Sequence, residues 1–311
     1  MTDPLLVSVV VETITARYDA LEGTLADTLG AALAAIEKQT WPRERIEILV
    51  VLDDEVAPET AAELRQRYPN VRFVRSEAAN YFSAKNGGAR AANGSIVVLL
   101  DGDCEPAPDW LETIVARFQP GVDVVAGRTR YAGSSLLART FSVPDFANVL
   151  GDETGAASGF NLNNVAFRRE VLLSHPLDAR IPRNGGCYLL YNQLRTLGKV
   201  IVYEPRAWVA HGLDIKGLGF ARKHFDRGYD SVCVYACDER NVLRGTPLVR
   251  KFGVLAIPPI VFRRLVQDWI KLVRERRQIG ISLPAVSYFA VIAVMTRLIE
   301  LAGAMFAFAR K

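Results

Sequence analysis

At 311 residues, half of them hydrophobic, the chain can build one large domain or two smaller ones around a substantial core. Its net charge of +4 hides an asymmetry: residues 1–239 carry 25 basic and 31 acidic side chains, residues 240–311 carry 13 and 3. A basic, apolar tail on an acidic body points to an anionic membrane surface, and basic residues interleaved with aliphatic ones argue against nucleic acid. The first residues, Met-Thr-Asp-Pro, lack the basic region and cleavage site of a signal peptide. Cys104, Cys187, Cys233 and Cys237 fit neither a zinc nor a disulfide spacing, so a reduced, cytosolic body is expected.

Leu5 to Val11 is a β-rich run ending at Glu12-Thr13. Leu21 to Lys38 has helical spacing, broken by Trp41-Pro42. Ile46 to Leu52 is a second strand and ends in Asp53-Asp54-Glu55; Pro58 to Tyr68 is a charged helix, and Val71 to Val74 a short third strand. Ser83 to Asn93 reads as a helix whose small residues permit close packing, with Lys85 and Arg90 able to reach phosphates or a carboxylate. Ile96 to Leu100 is a buried strand that ends abruptly in Asp101-Gly102-Asp103.

Alternating strands and helices imply right-handed crossovers and a doubly wound, mainly parallel α/β sheet flanked by helices. Ligands of such sheets sit beyond the carboxyl ends of the strands, where Asp101 and Asp103 emerge. Extended geometry puts residues i and i+2 on one face, and two hard oxygen donors there suit Mg²⁺ or Mn²⁺ bridging nucleotide phosphates. The alternative is a solvated turn with Gly102 at positive φ. No dinucleotide-binding glycine fingerprint follows the first strand, and no P-loop is present.

These motifs together resemble family 2 glycosyltransferases of the GT-A fold. The resemblance covers roughly residues 5–215. It runs through the first strand end, the Glu-Ile-Leu-Val-Val-Leu-Asp-Asp strand, Ala84-Lys85-Asn86-Gly87 and Leu-Leu-Asp-Gly-Asp. It continues through Asp109-Trp110-Leu111, Gly159 to Arg169, and Val202-Tyr203-Glu204-Pro205 with His211. It implies a nucleoside-diphosphate sugar donor, a UDP-sugar first, and a divalent metal. Asp53 or Asp54 would then hold the base beside Thr13, Lys85 would face the diphosphate, and Asp101 would hold the ribose or stand behind the metal ligand as its partner. Asp103 and His211 would hold the metal. Asn163 and Asn164 would lie on the acceptor side, binding sugar hydroxyls or fixing the loop. Glu12 stands where the family usually has proline.

The resemblance also implies a Gly-Glu-Asp tripeptide whose aspartate deprotonates the acceptor. Here Gly185-Gly186-Cys187 occupies that place, so no carboxylate stands there. Three explanations stay open: an acceptor that is already anionic, a substitute carboxylate (Asp152, Glu153 or Asp178), or lost catalysis with donor binding retained.

In the tail, an apolar run from Phe252 to Phe262 is split by Pro258-Pro259. A helical stripe of Phe262, Leu265, Val266, Trp269, Ile270 and Val273 then faces away from Arg263, Arg264, Lys271 and Arg274, as in a helix lying in a membrane interface. Leu283 to Thr296 is apolar for 14 residues before Arg297 and Glu300 intervene. That is short of the ~20 residues a span requires. A domain at 1–240 and a membrane-associated helical region at 241–311 are therefore expected, peripheral or monotopic on the cytoplasmic face of the membrane. The leading expectation is transfer of a sugar to a lipid-linked or cell-envelope glycan acceptor. A nucleotidyltransferase and a catalytically degenerate scaffold are the alternatives.

Overall fold

All six residues of β1 (Val7–Glu12) are buried, as in a strand covered by helices on both faces. The structure is a computed structural model describing residues 6–18, 24–75, 80–132, 141–142, 145–146, 155–212, 219–279 and 281–310. β1 pairs in parallel with β2 (Ile46–Leu52) and with β4 (Ile96–Asp101), and β3 (Arg72–Arg75) adds in parallel to β2. Beyond β4 the sheet turns antiparallel, through β7 (Asn164–Arg168) to β6 (Val124–Tyr131). β8 (Ile201–His211) and β5 (Cys104–Pro106), antiparallel to one another, complete the order β3-β2-β1-β4-β7-β6-β8-β5. The parallel half carries the chemistry, because its four strands end at one edge.

The connecting helices follow the sequence pattern, with shifted ends. α1 (Thr13–Tyr18) starts directly at the end of β1. α2 (Leu25–Glu37) starts later than its apolar periodicity suggests, because Thr24 and Asp27 form a capping box there. α3 (Pro58–Arg67) opens on proline, whose missing N–H costs nothing in a first turn. α4 (Tyr81–Ala91) is capped by Asn80 and Ser83 and packs hard on β1. A Cβ on its Gly88 would lie 2.2 Å from Val10 Cγ1, so only glycine permits this approach. α5 (Trp110–Val115) and α6 (Arg169–Ser174) are short.

The chain divides into two compact units: 1–129 with 149–179 and 194–212, and 130–148 with 180–193 and 213–311. The first is the sheet unit. The second holds the start of α7 (Gly186–Thr196), then α8 (Gly219–Cys237), α9 (Thr246–Phe252), α10 (Ile257–Ile279) and α11 (Ala285–Ala309). The composition change at 240 lies inside this unit, between α8 and α9.

Pro258 and Pro259 do not split the apolar run. They sit in the first turn of α10, where no intrahelical bond is lost. Phe262, Val266, Trp269, Ile270 and Val273 are exposed along α10, Phe262 by 67%, while Leu272 is buried. Arg264 leaves the solvent side, its Nη2 3.5 Å from Tyr235 Oη on α8. Among the described residues, α11 is the one helix long and apolar enough to cross a membrane. It runs straight through Arg297 and Glu300, which pair with each other; Arg297 also reaches Asp268 at 2.7 Å and Glu300 reaches His224 at 3.2 Å. His224 in turn lies 3.6 Å from Asp145, which also binds Arg227, Tyr131 and Lys223. Two glycines bring α8 and α11 into backbone contact. A Cβ on Gly228 would lie 1.9 Å from Glu300 O, and one on Gly303 2.0 Å from Phe225 O.

Candidate active site

Register sets the site: parallel pairing leaves Glu12 level with Asp101, with Asp53 just past the end of neighbouring β2. Asp53 is buried, and its Oδ2 accepts from Thr13 Oγ1 at 2.7 Å while Oδ1 accepts from Glu55 N at 3.0 Å. Asp54 points to solvent. Of the two carboxylates, Asp53 is the one held in a fixed orientation.

Lys85 is fully buried; its ammonium meets Asp101 Oδ1 at 2.7 Å and Leu100 O at 3.2 Å. Tyr81 Oη donates to the same Oδ1 at 2.8 Å. Lys85 therefore acts on this site through Asp101, its charge held beneath the strand end. Glu12 is the second buried carboxylate here. Its Oε2 accepts from Thr15 N at 3.0 Å and Oε1 from Thr15 Oγ1 at 2.5 Å, so it caps the first turn of α1. Burial pushes the Glu12 carboxyl up to about 7; Lys85 pulls it down and Asp101 pushes it up.

The strand stops at Asp101, and the chain turns at Gly102-Asp103, so the i, i+2 alternation does not carry both carboxylates to one partner. Gly102 is not among the positive-φ glycines. Glycine is required there for space, since a Cβ would lie 2.7 Å from Glu12 O. Asp103 is directed instead to His211, the last residue of β8, because Cys104 pairs with His211 across the β5–β8 ladder. His211 Nε2 lies 3.3 Å from Asp103 Oδ2, and Nδ1 lies 2.7 Å from Gly212 O. The carbonyl of Gly212 holds the ring by Nδ1 and leaves Nε2 turned to the Asp103 carboxylate, two donor atoms that face a common point.

Two neighbouring ligands of a six-coordinate Mg²⁺ or Mn²⁺, each at ~2.1 Å, stand about 3 Å apart. The Asp103–His211 pair fits such an ion. Cys104 lies in the same cluster, its ligand atom within 4.8 Å of the other two. Burial holds its thiol well above the ordinary range, so it offers an S–H, directed at Asp103 Oδ1 at 3.7 Å.

Asn164 is fully buried and spends its amide on the fold. Its Oδ1 accepts from Trp110 Nε1 at 2.8 Å, and its Nδ2 donates to Arg128 O and Ala207 O, both at 3.0 Å. Asn163 Oδ1 accepts from Thr129 Oγ1 at 2.9 Å. These contacts fix a loop and tie Trp110 of α5 to Asn164 at the start of β7. Of the substitute carboxylates, Asp152 and Glu153 lie outside the described residues. Asp178 is half-buried and follows Leu177, whose backbone is bound by Asn86 of α4.

Gly186-Cys187 opens α7, and its first turn carries no acidic residue. A carboxylate of α8, not singled out by the sequence, binds the segment just before that turn. Asp230 Oδ2 accepts from Asn184 N at 2.9 Å and Asn184 Nδ2 at 2.7 Å. Burial pushes its carboxyl up, and these bonds pull it back. Only the helix-period burial of α8 could have marked it beforehand.

Comparison with known proteins agrees with this geometry. In Haloferax volcanii, the chain is 32% identical to glycosyltransferase AglE over 110 residues, 34% of this chain and 36% of that protein. It is 28% identical to the glucosyl-dolichyl phosphate glucuronosyltransferase over 145 residues, 40% of this chain and 45% of that protein. The matches thus span less than half the length of these curated relatives. Among solved structures, the mannosyltransferase PcManGT from Pyrobaculum calidifontis, in complex with GDP-Man and Mn²⁺, is 19% identical. It superposes with a TM-score of 0.65 over 100% of this chain and 89% of its own, which establishes the GT-A-like fold. The model of glycosyl transferase family 2 matches residues 14–170, from the cap of β1 through the Asp101-Gly102-Asp103 turn to the Asn164 loop. With just over half of the chain matched and the acidic strand ends inside the match, this protein belongs to glycosyl transferase family 2.

Proposed function

We propose that this glycosyltransferase takes its sugar from a nucleoside-diphosphate donor, with a divalent metal, and passes it to a phosphate-bearing lipid acceptor at a membrane surface. The observation that carries the reading is the convergence of Asp53, Asp101 and Asp103 at one sheet edge, with His211 opposite Asp103.

In this reading Asp53, oriented by Thr13, accepts a ring N–H of the base; uracil and guanine both offer one. Asp101, held by Lys85 and Tyr81, takes the ribose. Asp103 and His211 hold Mg²⁺ or Mn²⁺, which when bound supplies positive charge for the departing diphosphate. Asn163 and Asn164 support the loop on the acceptor side.

The acceptor follows from what the turn into α7 lacks. A sugar hydroxyl gains typically ~10²–10⁴-fold from a positioned base, and Gly186-Cys187 supplies none. A phosphate oxygen is already ionised. It would attack the anomeric carbon as the bond from that carbon to the diphosphate breaks, and the nucleoside diphosphate would leave. The name of the glucosyl-dolichyl phosphate glucuronosyltransferase supports a lipid-linked acceptor in general; that relative's acceptor carries a glucosyl group, so the phosphate nucleophile rests on the missing base alone.

The exposed apolar stripe of α10 beside Arg263, Lys271 and Arg274 supports membrane association through residues 241–311. The buried ion pairs that join α11 to α8 and α10 favour a monotopic attachment, which we place on the cytoplasmic face. Inserting α11 alone would leave Arg297 and Glu300 only each other and strip them of Asp268 and His224.

The test is a screen of UDP- and GDP-sugars with Mn²⁺ on detergent-purified protein, scoring donor hydrolysis and transfer to a polyprenyl phosphate. Asp103→Asn should abolish Mn²⁺-dependent nucleotide binding in a protein that still folds. Unchanged Mn²⁺-dependent affinity in that variant, together with no donor turned over, would reject the reading.

A further inference from the structure

Where the family pattern calls for an acid, the second unit gathers positive charge. α7 begins at Gly186 with no acidic residue in its first turn, and Tyr188 stands in that turn, 44% exposed. Gly185, immediately before it, takes φ +88° and packs against α8. A Cβ there would lie 2.7 Å from Val234 Cγ2. The next residue of α8, Tyr235, is buried, and its hydroxyl accepts from Arg264 Nη2 of α10 at 3.5 Å.

Arg244 joins from the loop before α9. Its neighbour Gly245 lies flat on the Tyr235 ring, and a Cβ on it would be 2.9 Å from the Tyr235 hydroxyl. Arg263, on α10, is exposed. Burial pushes the Tyr188 phenol up, while Arg264, Arg263 and Arg244 all pull it down. Tyr188 therefore stays an O–H donor, within the field of three guanidinium groups. No carboxylate is among these five side chains. Arg264 also lies in the field of Glu300 of the α11 network, while its hydrogen bond goes to the Tyr235 phenol. The apolar stripe of α10 begins at Phe262, adjacent to Arg263 in the chain.

We infer that Arg244, Arg263 and Arg264, with the hydroxyls of Tyr188 and Tyr235, form a binding site for the phosphate group of a lipid, whose hydrocarbon chain lies along the α10 stripe. Guanidinium forks match phosphate oxygens bidentately, and phenols add neutral donors. The inference rests on the lipid-acceptor reading above and deepens it by naming the residues that hold the phosphate. It also gives a reason for the lost acid: a carboxylate at 187 would stand beside the bound phosphate and repel it.

The experiment is isothermal titration calorimetry of the full chain in non-ionic detergent, with farnesyl phosphate, farnesol and inorganic phosphate as separate titrants. Wild type should bind farnesyl phosphate roughly tenfold or more tightly than farnesol, as expected for charge-assisted bonds. Arg263→Gln and Arg244→Gln replace exposed side chains and leave packing intact. Each should reduce that preference severalfold without changing farnesol binding, and Arg264→Gln should reduce it further.

Arg222→Gln removes the same charge from a solvent-facing position of α8 and should change nothing. Competition by millimolar inorganic phosphate would identify the phosphate alone as the ligand; its failure to compete, with farnesyl phosphate bound, would assign the site to the lipid. Equal affinity for farnesyl phosphate and farnesol, or an effect of Arg222→Gln equal to that of Arg263→Gln, would overturn the proposal. Mn²⁺-dependent donor hydrolysis by wild type is scored separately. Its failure counts against the transferase reading, and the titration alone decides the phosphate site.

Discussion

Glu12 and Asp101 are buried side by side over a single lysine, and that arrangement sets a pH dependence of stability that one substitution can expose. In the folded protein the Glu12 carboxyl rises from 4.5 to about 7, chiefly because it is buried. The folded chain therefore keeps a proton between these values that the unfolded chain has released. Stability is fully present below 4.5 and is lost as pH rises through about 7. At ~1.4 kcal/mol per decade of proton affinity, the loss is about 3 kcal/mol. Glu12→Gln keeps the shape, and its amide oxygen can still accept from Thr15 N, so it removes the loss. The difference in stability between Glu12→Gln and wild type should shift in favour of the variant by about 3 kcal/mol from pH 5 to pH 8, on the order of 5–10 °C in Tm. Far-UV circular dichroism melts at constant ionic strength measure it. A difference that stays constant across that range would refute the argument, because only a titrating carboxyl can make it vary.

Gly303→Ala places a methyl 2.0 Å from Phe225 O, so it should lower Tm by several degrees through an overpacking cost of roughly 1–3 kcal/mol or more; a melt equal to wild type would show that α8 and α11 do not meet there. Replacing Phe262, Trp269 and Ile270 of α10 by Asp should move the protein from membrane pellets to the supernatant without lowering Tm, since these side chains are exposed; continued sedimentation with membranes would point to α11 as a spanning anchor. Cys187→Asp should not speed transfer to a polyprenyl phosphate, and wild-type rates should be nearly flat from about pH 7 upward, once past the second ionisation of a phosphate monoester at about pH 6. A strong rate gain from Cys187→Asp with a neutral sugar acceptor would restore ordinary base catalysis.

By itself, the sequence determined the parallel half of the sheet and the positions of its acidic ends. Short runs of Val, Ile and Leu closed by carboxylates have few other uses, and parallel strands bring their carboxyl ends together whatever the loops do. It also determined the stripe of α10, because helical periodicity is a local property. What it left open was decided by residues distant in the chain. Asp103 found His211 through the β5–β8 ladder, Lys85 was drawn under Asp101, and Asn164 was taken by Trp110. Pro258 and Pro259 proved to be a helix start, because position within the turn, not the residue type, decides what proline costs. Tyr188 and the arginines around it come from two helices and a loop that share no motif. Only the packing of α8 against the turn into α7, α10 and the Arg244 loop gathers them around Tyr235 and Tyr188, and a charge acts over distance in space, not along the chain.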